Sequence, residues 1–177
     1  QGDVLLISDD IKKVLSECHP YFLGNRYKYF IVLTQSCDLV RRKGNLCRSP
    51  YITLAAVKNY DDFLNRQSIK FNIKDVNGFK IFEESDYDRF KQLIERIYNN
   101  NENEYFFLAE DPELNFNENM IAFLKVSFAL KSDLHYEKCL KAKVLELNDA
   151  FKAKLGWLVG EMYSRVGTKD WEYIKKR

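Results

Sequence analysis

The sequence predicts one α+β domain over residues 1–177, built on a small, strongly bent antiparallel β-barrel with inserted helices and a C-terminal helix. Strand-like segments come first, helical segments are inserted between them, and one long amphipathic segment comes last. The early strands are separated by too little chain for regular crossover helices, which favours an antiparallel or mixed sheet over a parallel one. With 46% hydrophobic residues, the chain can bury a core without disulfide or metal staples.

Three segments in the first third of the chain have the composition of buried strands. Asp3–Ile7 and Tyr29–Gln35 are short apolar runs, and Tyr51–Val57 alternates large apolar side chains with small or polar ones. Between the first two, Ser8-Asp9-Asp10 is a helix-start signal, so we predict a helix that ends at about Cys18.

The second half of the chain contains turn and cap signals. Asn77-Gly78 predicts a hairpin between Ile69–Ile73 and Phe79–Phe82. Ser85-x-x-Asp88 is a variant of the capping box and predicts a helix that ends at about Tyr98. The remaining predicted elements are strands at Tyr105–Ala109, Ile121–Leu130 and Ala142–Leu147, and a last helix capped by Asn148.

Composition excludes several classes of protein. The apolar runs fall far short of the roughly 18 residues that a membrane span needs, and no signal-peptide pattern opens the chain, so we expect a cytoplasmic protein without membrane contact. Four cysteines at wide, irregular spacing indicate reduced thiols rather than a disulfide framework. Because the chain starts with Gln1, we expect it to be processed or to be part of a larger protein.

Charge is distributed unevenly, although the net charge is only +2. The segment from Arg26 to Arg48 contains a single acid, Asp38, whereas the segment 83–118 contains eleven acids against three basic residues. This asymmetry indicates either a basic binding face with an acidic face elsewhere or ordinary solvated surface. On the first explanation, the nucleic-acid-binding residues are Arg26, Lys28, Arg41, Arg42, Lys43 and Arg48.

Three segments together resemble the core strands of the PemK/MazF-like small β-barrels. They are Gly2–Ile7, which opens Gly-Asp before an aliphatic run, Tyr29–Gln35, and Ser49–Val57, which opens Ser-Pro and ends Ala-Ala-Val. The resemblance covers about the first third of the chain. It implies the small β-barrel fold of that family.

Toxins of that family cleave single-stranded RNA with an Arg in the loop before the second core strand and a Thr or Ser just after the Ala-Ala strand. The resemblance therefore implies that Arg26 or Lys28 stabilises charge on phosphorus. Lys58 and Asn59 follow Val57, so the expected hydroxyl is missing. If the chain is an enzyme, the resemblance implies ribonuclease-like phosphodiester cleavage, and the missing hydroxyl argues against that activity.

A second resemblance rests on Thr34–Leu39 (Thr-Gln-Ser-Cys-Asp-Leu) and on Tyr-Ser-Arg-Val-Gly at 163–167. These segments are similar to motifs in a group of poorly characterised bacterial proteins. They make Cys37, Asp38 and Arg165 the candidate catalytic residues, with Asp38 and Arg165 predicted to form an ion pair. The alternatives are a small buried Cys37, an Asp38 that closes a turn, and an Arg165 that offsets the dipole of the last helix.

Cys and His side chains allow two other arrangements, a zinc site and a nucleophilic pair. A zinc site would collect four residues that lack structural-finger spacing, namely Cys18, His19, Cys37 and Cys47. A nucleophilic pair would join Cys37 to His19 or His135. We predict neither a metal nor a cofactor, and no phosphate-binding Gly-rich loop or Ser-centred elbow is present in the sequence.

The sequence thus predicts a nucleic-acid-associated PemK/MazF-like module of a bacterial or phage-related defence or toxin-like protein. The expected partner is single-stranded RNA or DNA, and Tyr27, Tyr29 and Tyr51 are candidates either for stacking bases or for packing in the core. The alternative is a non-catalytic protein–protein or regulatory module that binds a partner through the acidic 83–118 face.

Overall fold

A computed structural model describes residues 1–41, 46–77, 79–81 and 83–164. The strands are β1 (Asp3–Leu6), β2 (Tyr29–Val32), β3 (Tyr51–Asn59), β4 (Lys74–Val76), β5 (Phe79–Ile81), β6 (Tyr105–Leu108), β7 (Met120–Lys131) and β8 (Lys143–Glu146). The helices are α1 (Asp9–Cys18), α2 (Ser36–Leu39), α3 (Tyr60–Lys70), α4 (Glu84–Tyr98), α5 (Ser132–Ala142) and α6 (Asp149–Ser164). Short 3₁₀ turns lie at Pro20–Leu23 and Pro112–Leu114.

Six of the strands form one antiparallel sheet in the order β6-β7-β3-β2-β1-β8, and β4 and β5 form a separate hairpin. The three segments predicted as core strands, β1, β2 and β3, are neighbours in this sheet. The predicted α+β class and antiparallel sheet are therefore confirmed.

The sheet is curled into a half-barrel. In the pairing of β3 with β7, Ala55 lies opposite Ser127 but Ala56 lies opposite Phe123, so β7 accommodates residues 124–126 as a bulge. A bulge bends the strand that carries it and increases its twist. Although β6 and β8 are at opposite ends of the sheet order, both line one cavity of about 220 Å³.

Strand alternation gives the sheet two buried faces. Phe30 and Val32 of β2 pack with α1 and α5 on one face, whereas Tyr29 and Ile31 pack with α6 on the other. Neighbouring side chains on a strand point to opposite faces, so an uninterrupted apolar run such as Tyr29–Val32 indicates a strand covered on both sides. A third cluster joins α3 and α4 to the outside of β6 and β7 through Tyr60, Phe63, Ile97 and Ile121.

Three local predictions were wrong. Ile69 belongs to α3 rather than to a strand, because Asn59 caps that helix by accepting hydrogen bonds from the amides of Asp61 and Asp62. The first hairpin strand is Lys74–Val76 rather than Ile69–Ile73, whereas the second begins at Phe79, as predicted, and the turn contains Asn77 at φ 56°, as the hairpin signal requires. Helix α4 begins at Glu84 after the cap residue Glu83, so Ser85 is inside the helix.

No helix among the described residues is both long enough and apolar enough to cross a membrane.

Candidate nucleic-acid interface

A cluster of basic and aromatic side chains lies where β2 begins. The guanidinium carbon of Arg26 is 4.5 Å from the ring centre of Tyr21 and 4.9 Å from that of Tyr27. Lys58 Nζ is 5.2 Å from the ring centre of Tyr27 and 4.7 Å from that of Phe123. These distances are typical of cation–π contacts, which hold the positive charges over aromatic faces rather than beside carboxylates.

The strand register brings these residues together. Tyr29 of β2 pairs with Val57 of β3, so the loop before β2 lies beside Lys58 just after that pair. The 3₁₀ turn is anchored by Phe22, which is buried against Phe30 and Phe128. Its neighbour Tyr21 therefore faces outward and is 62% exposed. We call Tyr21, Arg26, Tyr27 and Lys58 the basic–aromatic cluster.

Positive charge in the basic–aromatic cluster is not neutralised. Burial lowers the pKa of Lys58, and the charges of Arg66 and Arg26 lower it further, against weaker opposing effects of Tyr21 and then Asp62. The pKa of Tyr21 is lowered by a hydrogen bond with Tyr27 and by the charge of Arg26. No carboxylate in the described part of the chain forms an ion pair with Arg26, Lys58 or Arg66. Such a surface attracts anions.

The other described basic residues predicted to bind nucleic acid are paired. Lys28 lies 3.4 Å from Glu118, and Arg41 lies 2.7 Å from Glu137 and stacks on Tyr136 at 4.2 Å. Arg48 lies 3.7 Å from Asp38. Arg26 and Lys28 precede β2, whereas Arg41 and Arg48 follow it, so the described basic residues form two groups at opposite ends of one strand rather than one face. Arg42 and Lys43 lie outside the described residues.

The predicted stacking tyrosines differ in position. Tyr27 belongs to the basic–aromatic cluster, but it is 6% exposed and packs on Phe22, so its ring contacts the cations from the core side. Tyr29 is 8% exposed and packs against Phe116, so it is a core residue. Tyr51 is 48% exposed but lines a different cavity, together with Arg48.

Cys37 and Asp38 lie on the short helix α2, beside a shallow polar cavity of about 390 Å³. The Cys37 thiol is exposed and lies 3.7 Å from Gln35 Oε1, so Cys37 is not buried in the core. Asp38 pairs with Arg48, and its backbone carbonyl accepts a hydrogen bond from Ser49 N. Arg165 lies outside the described residues, so its pairing with Asp38 stays a prediction.

The histidines have other neighbours. His19 packs on Phe128 at 4.8 Å, with Nε2 3.1 Å from the carbonyl oxygen of Ala129. His135 lies on α5, where burial lowers its pKa. Within the described residues, neither histidine hydrogen-bonds Cys37, and no group of three His, Cys, Asp or Glu side chains is arranged to hold a metal ion.

The acidic segment 83–118 extends over α4, β6 and the loop before β7, and several of its acids have cationic partners. Arg96 pairs with Glu102 at 3.0 Å, Lys28 with Glu118 at 3.4 Å, and Lys125 with Glu104. These ion pairs reduce the net negative charge that the segment presents to a partner.

Sequence reasoning missed Lys58 and Tyr21 as site residues. The signal for Lys58 was its position immediately after Ala55-Ala56-Val57, near the end of a predicted strand. The structure brings Lys58 next to Arg26, with both cations over the ring of Tyr27.

None of the models of known protein families matches this chain, and no curated protein is detectably similar to it.

Proposed function

We propose that this chain is a nucleic-acid-associated module that binds single-stranded RNA or DNA through the basic–aromatic cluster. The single observation that carries the proposal is the stacking of Arg26 on Tyr21 and Tyr27, beside Lys58 and without a carboxylate partner in the described residues. Proteins that bind single strands combine cations, which contact phosphates, with aromatic rings, on which bases stack.

The half-barrel sheet and the three core-strand segments support a PemK/MazF-like module of a bacterial or phage-related defence or toxin-like protein. Two observations support this. The strands β1, β2 and β3 are neighbours in one sheet. Lys58 also lies beside the loop of Arg26, and these are the two positions at which the family has its catalytic groups. Because Lys58 replaces the hydroxyl, we propose binding without cleavage by that mechanism. An ammonium group neutralises phosphate charge but does not supply the family's hydroxyl.

Fluorescence anisotropy with a labelled single-stranded oligonucleotide, measured over a salt series, tests the proposal. Each phosphate contact contributes about 0.7 to the slope of log affinity against log salt for a single strand. The double variant Arg26→Ala/Lys58→Ala is expected to weaken binding and to reduce that slope by about 1.4, or two contacts. Lys141→Ala is the matched control, because Lys141 is an exposed cation on α5, away from the cluster.

Absence of binding even at low salt would disprove the proposal. It would favour the protein–protein alternative, in which the acidic 83–118 face binds a partner. A loss of affinity per charge removed that is the same for the double variant and for Lys141→Ala would show non-specific attraction to a basic protein, not a site at the cluster.

A further inference from the structure

A cavity of about 390 Å³ adjoins the basic–aromatic cluster and shares Tyr27 with it. Its other lining residues include Leu6 from β1, Lys12 from α1, and Leu23, Asn25 and Lys28 from the loop before β2. Because Asn25 and Tyr27 flank Arg26 in the chain, the cavity is within reach of a strand whose phosphates contact Arg26.

Part of the cavity wall is apolar although it faces solvent. Leu6 is 39% exposed and Leu23 is 40% exposed, and the largely buried Phe22 and Tyr27 also line the cavity. Exposed apolar side chains that converge on a cavity beside a few polar groups are typical of a ligand-binding site.

Polar groups complete the cavity. Lys12 and Lys28 are exposed cations, each with one acidic partner at 3.2 Å or more. Asn25 is exposed, and its carboxamide makes no hydrogen bond within the described part of the chain. A free carboxamide offers two donors and an acceptor, a combination that pairs with the edge of a nucleobase.

We infer that this cavity holds one unstacked nucleobase of the strand bound at the basic–aromatic cluster, an inference that rests on the proposed function. The base lies between Leu6 and Leu23, its edge faces the Asn25 carboxamide, and the flanking phosphates contact Arg26 and Lys28. A double-stranded ligand keeps its bases stacked and paired, so the cavity selects single strands.

Leu23 provides a way to change the cavity without disturbing the fold. Its side chain is 40% exposed and lines the cavity, while the buried neighbour Phe22 anchors the turn. Leu23→Ala therefore removes one apolar wall and leaves the anchor in place. Leu114→Ala is the matched control, because Leu114 is 54% exposed and lines a different cavity, with β6 and β8.

The experiment compares two labelled oligonucleotides of equal length, one with all its bases and one made entirely of abasic nucleotides. With native protein, the base-containing strand is expected to bind at least about tenfold more tightly at equal salt, because one base stacks in the cavity and others stack on the exposed ring of Tyr21. Leu23→Ala is expected to reduce this difference by about threefold or more and to leave the affinity and the salt slope of the abasic strand unchanged. Leu114→Ala is expected to change neither.

The possible failures are distinguishable. If both strands bind native protein and Leu23→Ala leaves the difference between them unchanged, the base pocket is disproved while the proposed function stands. If neither strand binds at low salt, both proposals fail. Asn25→Ala gives a second readout: it is expected to change the relative affinities for homopolymers of different bases, and unchanged ratios would contradict the role given to Asn25.

Discussion

Asn100 completes the edge of the half-barrel by bonding to both backbone groups of Phe107. Its side-chain oxygen accepts a hydrogen bond from Phe107 N at 2.6 Å, and its side-chain nitrogen donates to Phe107 O at 3.2 Å. Asn100 is 2% exposed and has φ 50°, a left-handed conformation that asparagine tolerates. Phe107 belongs to the edge strand β6, so the carboxamide satisfies the groups that a further strand would otherwise pair with.

This relationship predicts a large loss of stability for Asn100→Gly. Glycine keeps the left-handed backbone but leaves two Phe107 groups without partners, which costs about 2–4 kcal/mol in the free energy of unfolding. Urea denaturation followed by circular dichroism measures the loss. Asn115→Gly is the control, because Asn115 is exposed and also has positive φ, at 56°. Equal effects of the two substitutions would contradict the role of the carboxamide.

Stability is expected to fall on acidification in two stages. Burial, and then Lys138, lower the pKa of His135 below its usual 6.5, against the opposing charges of Glu17 and Asp133. A lowered histidine pKa favours folding above pH 6.5, and that contribution is lost as the pH falls through the folded-state value. Hydrogen bonds from Lys143 and Lys152 lower the pKa of Glu146 to about 2, so its contribution is lost only below pH 4.5.

Thermal unfolding at a series of pH values separates the two groups. His135→Gln is expected to flatten the dependence of the unfolding temperature on pH just below pH 6.5 and to leave it unchanged below pH 4.5. Glu146→Gln is expected to flatten it below pH 4.5 and to leave it unchanged just below pH 6.5. If His135→Gln leaves the first stage intact, another group is responsible for it.

The four cysteines are expected to react at different rates with a thiol reagent. Burial raises the pKa of the Cys139 thiol to about 11, so few Cys139 side chains are ionised at neutral pH. Cys18 and Cys37 are exposed, and Cys47 is half-buried. Mass spectrometry of the protein labelled for increasing times is expected to show Cys18 and Cys37 modified first and Cys139 last. Early modification of Cys139 would contradict its burial.

The fold was predictable where the hydrophobic pattern alone decides an element. The run Tyr29–Val32 is buried on both faces, and α6 buries Leu155 and Leu158 of its predicted apolar stripe. Helix α3 was not predictable in this way, because Ile69 and Phe71 near its end have strand-like composition. Its start depends on the Asn59 cap, which is a local contact, and on Tyr60 and Phe63 packing against β7, which are tertiary contacts.

The candidate site was predictable only in part. Arg26 was predicted from local charge and from the resemblance, but charge along the sequence does not show which basic residues are paired. The partners of Lys28 and Arg41, namely Glu118 and Glu137, are about 90 or more positions away in the sequence. Lys58 joins the cluster only through the pairing of β2 with β3.

Asp38 offers a test of the predicted pairing with Arg165. The described partner, Arg48, is 74% exposed, so removing that ion pair is expected to cost less than about 1 kcal/mol. A double-mutant cycle of Asp38→Ala and Arg48→Ala, measured by urea denaturation, gives the pair's coupling energy. A loss of about 3–5 kcal/mol for Asp38→Ala alone would indicate a buried cationic partner, and its reduction in Arg165→Ala would identify that partner.

Tyr21 separates stacking from folding at the proposed interface. Because its ring is 62% exposed, Tyr21→Ala is expected to change the free energy of unfolding by less than about 0.5 kcal/mol. The same substitution removes a stacking surface and is expected to weaken single-strand binding about 5-fold or more. Tyr21→Phe keeps the ring and is expected to bind within about twofold of native protein, since a base stacks on the ring face rather than on the hydroxyl. Tyr163→Ala is the control, because Tyr163 is 63% exposed on α6. If Tyr21→Ala and Tyr163→Ala bind equally well, bases do not stack on Tyr21, and only phosphate contacts by Arg26 and Lys58 would account for binding.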